Sequence, residues 1–152
     1  MSPQLDSVNT VNAPIVARER NIGVSETKRE RCTDYHTLIR VTVTTDQSTR
    51  TLTGSLFGGD KPRLVGIDDV AVEAELSPRM LFTRNEDKPG YIGRLGAMLG
   101  DAGINIATFH LGRTAPGADA VALVSVDQAV DGALLEKILR APGVVAAVAL
   151  TF

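Results

Sequence analysis

Residues 88–111 read Lys88-Pro89-Gly90-Tyr91-Ile92-Gly93-Arg94-Leu95-Gly96-Ala97-Met98-Leu99-Gly100-Asp101-Ala102-Gly103-Ile104-Asn105-Ile106-Ala107-Thr108-Phe109-His110-Leu111. Lys88-Pro89-Gly90 is a turn signal. Behind it Tyr91, Leu95, Met98 and Ala102, with Ile92 and Leu99 beside them, recur at the spacing of one helix face. Gly103 suits the left-handed residue that closes such a helix, and Ile104 to Leu111 reads as a strand. Upstream, behind the break at Ser77-Pro78, Met80 to Thr83 is a short strand. Downstream, Pro116-Gly117-Ala118-Asp119 is a hairpin turn and Ala120 to Val126 a strand. Asp131 caps a helix carrying Leu134, Leu135, Ile138 and Leu139, and Pro142-Gly143 leads into a last strand, Val144 to Thr151. The order is βαββαβ, the ferredoxin-like arrangement of one antiparallel sheet with both helices on one face.

The first half has another order. Asn12-Ala13-Pro14 opens a capped helix with an apolar face over Ile15 to Arg20, ended by Asn21-Ile22-Gly23. Thr37 to Thr45 alternates in the two-residue period of a half-buried strand, and Thr49 to Phe57 repeats it after Asp46-Gln47-Ser48. Past the loop Gly58 to Pro62, Arg63 to Ile67 and Val70 to Glu75 form a tight hairpin around Asp68-Asp69. The expected fold class is therefore α+β: a small domain with an antiparallel meander over 1–77, then a ferredoxin-like domain over 78–152.

Composition narrows the functions. With 152 residues, 43% hydrophobic and 22% charged, the chain has enough apolar matter for a real core. A net charge of −2 excludes nucleic-acid binding through bulk electrostatics. The longest charge run, Lys28-Arg29-Glu30-Arg31, is short and mixed. One cysteine, Cys32, supports neither an internal disulfide nor a zinc site, which fits a cytoplasmic protein. Neither a membrane span nor a signal peptide is expected. The glycines of Gly90 to Gly96 have the wrong spacing for a dinucleotide grip and lack the Lys-Ser/Thr of a phosphate loop. His36 and His110 are far apart in sequence, and such lone histidines are more often structural than catalytic. RNA-binding domains share the βαββαβ order, but Phe82, Phe109, Phe152 and Tyr91 have no neighbouring basic run. No catalytic residue and no metal ligand is assigned.

The informative stretch is Asn85-Glu86-Asp87-Lys88-Pro89-Gly90-Tyr91-Ile92-Gly93, polar groups just ahead of a helix whose first amides lack partners. Such a start favours a carboxylate. Asp87 beside it would hold an ammonium, so the two suit a zwitterionic amino acid. Asn105, at the start of the next strand, would supply a two-way hydrogen bond to a small polar side chain. The competing reading makes Asp87 and Pro89 turn formers only.

These residues resemble the ACT domain, a family of amino-acid-sensing modules with this fold. The resemblance runs through Asn85 to Gly90, Leu99 to Ala107, and Phe109-His110-Leu111-Gly112-Arg113. With Val11 to Arg20 upstream, the chain is similar to the C-terminal end of long-type bacterial D-3-phosphoglycerate dehydrogenase, where an intervening domain precedes the ACT domain. That resemblance implies a serine-biosynthetic parent using NAD through upstream catalytic domains, with no cofactor in this fragment. Met1-Ser2-Pro3 is then expected to be the start of an excised piece. It also implies pairing as a homodimer or homotetramer with L-serine at the interface. Asp87 and the backbone from Pro89 through Gly90 and Tyr91 to Ile92 would hold the effector, with Asn105 reaching it from the same or the facing chain. The family often has His or Tyr where Asn85 stands. Arg63 sits where the intervening domain carries a basic anion ligand, its usual basic partner replaced by the acidic stretch around Glu75, and a plain surface arginine is the alternative. A serine dehydratase regulatory region is the competing parent. A freestanding acylphosphatase-like enzyme lacks its phosphate-cradling loop.

Overall fold

A computed structural model describes residues 8, 9, 11–28, 35 and 37–152, and the chain divides into two units, residues 1–31 and 32–152. Cys32, His36, Met1-Ser2-Pro3 and Arg29 to Arg31 of the charge run lie outside the described residues. In the first unit, helix α1 spans Ala13–Glu19 with Pro14 in its first turn. Asn12 stands at the expected cap position, but its side-chain oxygen accepts the Asn9 amide at 2.7 Å rather than a first-turn amide. The helix closes on Asn21, whose φ of 56° lets Ile22 N reach Ala17 O at 2.8 Å. No residue of α1 is buried.

The second unit holds two four-stranded sheets. The first is the expected meander: β1 (Ile39–Thr44), β2 (Thr49–Phe57), β3 (Lys61–Ile67) and β4 (Val70–Glu75), paired antiparallel in that order. Asp68, at φ 54°, makes the two-residue β3–β4 turn. The expectation that the first strand is half-buried fails, because all six residues of β1 are exposed. Burial in this sheet begins at β2 and concentrates on β3 and β4, which alone of its strands join an inter-sheet core.

The second sheet runs β6-β7-β5-β8, from β5 (Arg79–Glu86), β6 (Ile106–Arg113), β7 (Asp119–Val126) and β8 (Val144–Thr151), all pairs antiparallel. Helices α2 (Tyr91–Asp101) and α3 (Gly132–Leu139) cover one face through Leu81, Leu95, Leu99, Val124 and Ile138. The other face carries Met80, Val121 and Leu123, which pack on Val70, Val72 and Ala74 of β4. β7 lies beneath both layers and is buried at every position from Ala120 to Val126, so apart from Ser125 it reads as an apolar run rather than an alternation. This is the expected ferredoxin-like βαββαβ sheet, with the meander packed on the face away from the helices.

Several boundaries differ from the sequence reading: β3 begins at Lys61 inside the expected loop, β6 runs past Leu111 to Arg113, β7 begins at Asp119 of the expected turn, and two further shifts bear on the site. The strand expected at Ile104 starts at Ile106, because Ile104 N is bonded to Leu99 O at 2.9 Å in closing α2 with Gly103 at φ 70°. The strand expected to stop at Thr83 runs on to Glu86, its polar end held by β7 and β8 on either side. At the other helix start, Asp131 caps α3 as expected, accepting Leu134 N at 2.7 Å.

Candidate functional site

Extending β5 to Glu86 puts Asn85 inside the sheet rather than in a loop. Along β5, Leu81, Thr83 and Asn85 point to the helix side, while Met80, Phe82 and Arg84 point to the meander. Asn85 is 1% exposed. Its Nδ2 donates to Glu86 O at 2.8 Å, which fixes the orientation of the amide and leaves Oδ1 as a buried acceptor with no partner.

Gly90 follows at φ 86°, a conformation that strains any residue with a Cβ, and serves as the N-cap of α2. Having no side chain, it offers no side-chain cap, and of the first-turn amides Tyr91 N reaches Lys88 O at 3.4 Å. Tyr91 is a core residue: it is 5% exposed and its hydroxyl bonds Thr83 Oγ1, with burial holding the phenol above its usual range against that bond. It pins the helix start onto β5.

Asp87 is placed by its own backbone, its amide donating to Ala118 O at 2.8 Å. Its Oδ2 accepts from Arg113 Nη1 at 2.7 Å and from Gly117 N at 3.1 Å. The Arg113 hydrogen bond, then the Gly117 amide, hold this carboxyl below the usual range, outweighing a small desolvation.

These groups surround an open cavity of about 540 Å³ lined by Asn85, Asp87, Lys88, Pro89, Gly90, Tyr91, Ile92, Gly93, Leu111 and Arg113. Six of the residues singled out in the sequence therefore share one concavity; the seventh, Asn105, does not. It precedes β6, the strand whose far end is Arg113, and bonds Asp127 Oδ2 at 2.7 Å through Nδ2 and Gln128 Oε1 at 2.8 Å through its amide. Eight residues at the rise of a strand separate Asn105 from Arg113 by about 25 Å. One small ligand cannot touch both within one chain.

Sequence reasoning missed Leu111 and Arg113. Both stand in the Phe109 to Arg113 run that carries the resemblance, but only the β6–β7–β5 register brings that run beside Asp87.

Arg63, the candidate anion ligand, lies on the meander. Its Nη1 is 3.2 Å from Glu73 and its Nη2 3.8 Å from Glu75, and the guanidinium sits 5.4 Å over the Phe57 ring. Its charge is answered by acids. His110 is half-buried in β6 opposite Leu123. Among the described residues no group of three His, Cys, Asp or Glu side chains could hold a metal ion, and no helix is long and apolar enough to cross a membrane.

Comparison with known proteins places both halves. Residues 1–68 match the D-3-phosphoglycerate dehydrogenase intervening domain and residues 79–149 the ACT domain. The chain is 34% identical over 139 residues to a D-3-phosphoglycerate dehydrogenase of Synechocystis, covering 91% of the chain and 25% of the relative. It is 35% identical over 142 residues to that of Methanocaldococcus jannaschii (92% and 26%), and 34% identical over 146 residues to that of Bacillus subtilis (95% and 28%). It thus spans about a quarter of the length of the curated relatives it matches.

Proposed function

The chain belongs with the C-terminal regulatory regions of D-3-phosphoglycerate dehydrogenases, an intervening domain followed by an ACT domain, and on that premise we propose that it senses L-serine and pairs with a second copy of itself. The domain boundary we adopt is 1–77 and 78–152. Oxidation of 3-phosphoglycerate with NAD would belong to domains upstream of these residues. The relatives named above are all dehydrogenases, which favours this parent over a serine dehydratase.

One observation carries the sensing role: Asn85, whose buried Oδ1 has no partner, and the ionised Asp87 line one cavity at a helix start that has no side-chain cap. A buried amide oxygen left unpaired costs about 1–3 kcal/mol. A ligand ammonium in this cavity would find its counter-charge on the ionised Asp87, with a small shift of Asn85 bringing Oδ1 to it as a second acceptor. The carboxylate of the same molecule would face the first-turn amides of α2. A small amino acid answers both ends at once.

The position of Asn105 supports the pairing. β6 and β8 are the edges of the second sheet, each with one row of backbone groups turned outward. If two copies join β6 to β6 about a twofold axis, the strands run antiparallel. The start of one β6 then lies against the end of the other, and the second copy's Asn105 arrives beside Asp87 and Arg113. The apolar β8, with Val145 and Val148 exposed, offers the other edge. Such a protein would be cytoplasmic.

Titration calorimetry with L-serine, D-serine and a panel of the other amino acids tests the reading, alongside light scattering for mass. Heat with L-serine and a mass of at least two chains is expected. Absence of binding across the panel overturns the sensing role, and a species of only 16.1 kDa at high concentration overturns the pairing.

A further inference from the structure

The serine-sensing reading leaves Arg113 without a task, yet the geometry points to one. We propose that Arg113 and Asp87 form a split receptor for the two charges of a free amino acid: in the empty site they pair with each other, and a bound ligand inserts between them, ammonium on Asp87 and carboxylate on Arg113. The inference rests on that reading and adds to it a residue and a selectivity rule.

Three features carry it. Arg113 and Asp87 line the same cavity as Asn85, so the ion pair stands at the mouth of a space large enough for a small ligand. Only one Arg113 nitrogen, Nη1, bonds Asp87, and the side chain is 52% exposed, so the guanidinium has room to turn from Asp87 and present its planar fork to a ligand carboxylate. Gly112, the preceding residue, is wedged against β4, where a Cβ would overlap the Ala71 carbonyl oxygen. That wedge holds the strand while the Arg113 side chain swings.

The chemistry then discriminates. An amine without a carboxylate that inserts between the pair takes the place of Arg113 Nη1 on Asp87 Oδ2 and leaves a guanidinium with no anion. A carboxylate without an amine displaces Asp87 and strands that charge instead. A zwitterion exchanges one ion pair for two and leaves nothing unpaired. The site should therefore take free amino acids and reject both half-ligands, even where the helix start alone would accept the carboxylate.

The test compares L-serine with L-serinamide, which lacks the carboxylate, and L-glycerate, which lacks the ammonium, by calorimetry on the whole chain. Wild type should bind L-serine at least about tenfold tighter than either, the scale of one charged hydrogen bond. Arg113→Gln should weaken L-serine by roughly ten- to thirtyfold and bring serine and serinamide within about threefold of each other, with Arg113→Lys between the two. If wild type binds serine and serinamide equally, or Arg113→Gln binds serine as well as wild type, the split receptor is overturned while serine sensing stands. If wild type binds no amino acid at all, the sensing reading fails and the inference with it. Should Arg113→Gln not fold, Arg113→Lys decides: serine affinity equal to wild type overturns the split receptor, and an intermediate loss supports it.

Discussion

Asp68 and Asp87 are built alike and do different things. Each carboxylate accepts a backbone amide, Thr51 N at 2.9 Å for Asp68 and Gly117 N at 3.1 Å for Asp87, and each pairs with an arginine from the second sheet. The arginines come from strand ends with opposite-facing neighbours: Arg84 faces the meander while Asn85 faces the cavity, and Gly112 faces the meander while Arg113 faces the cavity. The difference lies in what surrounds the pair. Asp68 takes two guanidinium groups, Arg50 at 2.9 Å and Arg84 at 3.1 Å, and Arg84, 18% exposed, is held again by Asp119 at 3.0 Å. Every charge there has its partners, so the cluster is a clamp between sheets. At Asp87 the arginine is half-exposed, and the pair lines a cavity together with Asn85, whose buried Oδ1 has no partner. An ion pair next to an unmet polar group is a place for a ligand.

The clamp side breaks hardest at Gly112. A Cβ there meets backbone, the Ala71 carbonyl oxygen, as well as the Val70 and Val72 side chains, and a backbone atom cannot rotate away. Gly112→Ala should destabilise the chain by about 3 kcal/mol, the upper end of overpacking costs, by urea titration. A loss below about 0.5 kcal/mol, the ordinary scatter of surface changes, would mean the two sheets are not locked at this crossing.

Exchanging the two acids sharpens the contrast. Asp68→Ala removes an acceptor of three hydrogen bonds and leaves Arg84 with Asp119 alone; it should cost about 2 kcal/mol of stability and leave L-serine affinity unchanged. Asp87→Ala should do the reverse, with a small change in melting temperature and a roughly ten- to hundredfold loss of L-serine affinity. Equal serine affinity for Asp87→Ala and wild type would make the 87–90 turn only a turn.

Much of this architecture is legible in the sequence where the signals are local. The start of α2 at Tyr91, its close at Gly103, the Asp131 cap and the Asp68-Asp69 hairpin each depend on residues within one or two turns of chain. What is not legible depends on register. Arg84-Asn85-Glu86 is polar and reads as loop, because nothing local tells that β7 and β8 flank it and bury Asn85. Arg113 meets Asp87 across 26 residues, through two strand pairings. Asn105 is eight residues from Arg113 in sequence and at the opposite end of the same strand. The exposure of β1 hides for a related reason: its alternation is real, but no layer of the second unit reaches it.

Asn105 offers a smaller test of the same geometry. Asn105→Ala should reduce L-serine affinity by about 1 kcal/mol if a second copy supplies it across a β6–β6 edge, and the loss should vanish at concentrations where the chain is monomeric. A loss that persists in the monomer would break the edge-pairing account, since one chain cannot bring Asn105 to its own cavity.

Acid titration should yield the smallest effect and separates the two carboxylates once more. At Asp68, burial pushes the pKa up but is outweighed by the Thr51 amide, the Arg50 hydrogen bond and the charges of Arg50 and Arg84; Asp87 is lowered by Arg113 first and the Gly117 amide second. Both folded values therefore lie below the unfolded one. A depressed acid contributes stability that is complete above its unfolded pKa and is lost as pH falls through the folded value, so both contributions should be intact from pH 8 down to about 5 and decline below about 4. Asp68→Asn should flatten that acid decline more than Asp87→Asn, because more bonds depend on its charge. L-Serine affinity should be level between about pH 8 and 5, since Asp87 stays ionised and the ammonium and carboxylate of serine do not titrate there. A midpoint near pH 6 in the binding curve would instead assign the ligand to a histidine, and the pairing of Asp87 with the ammonium would have to be given up.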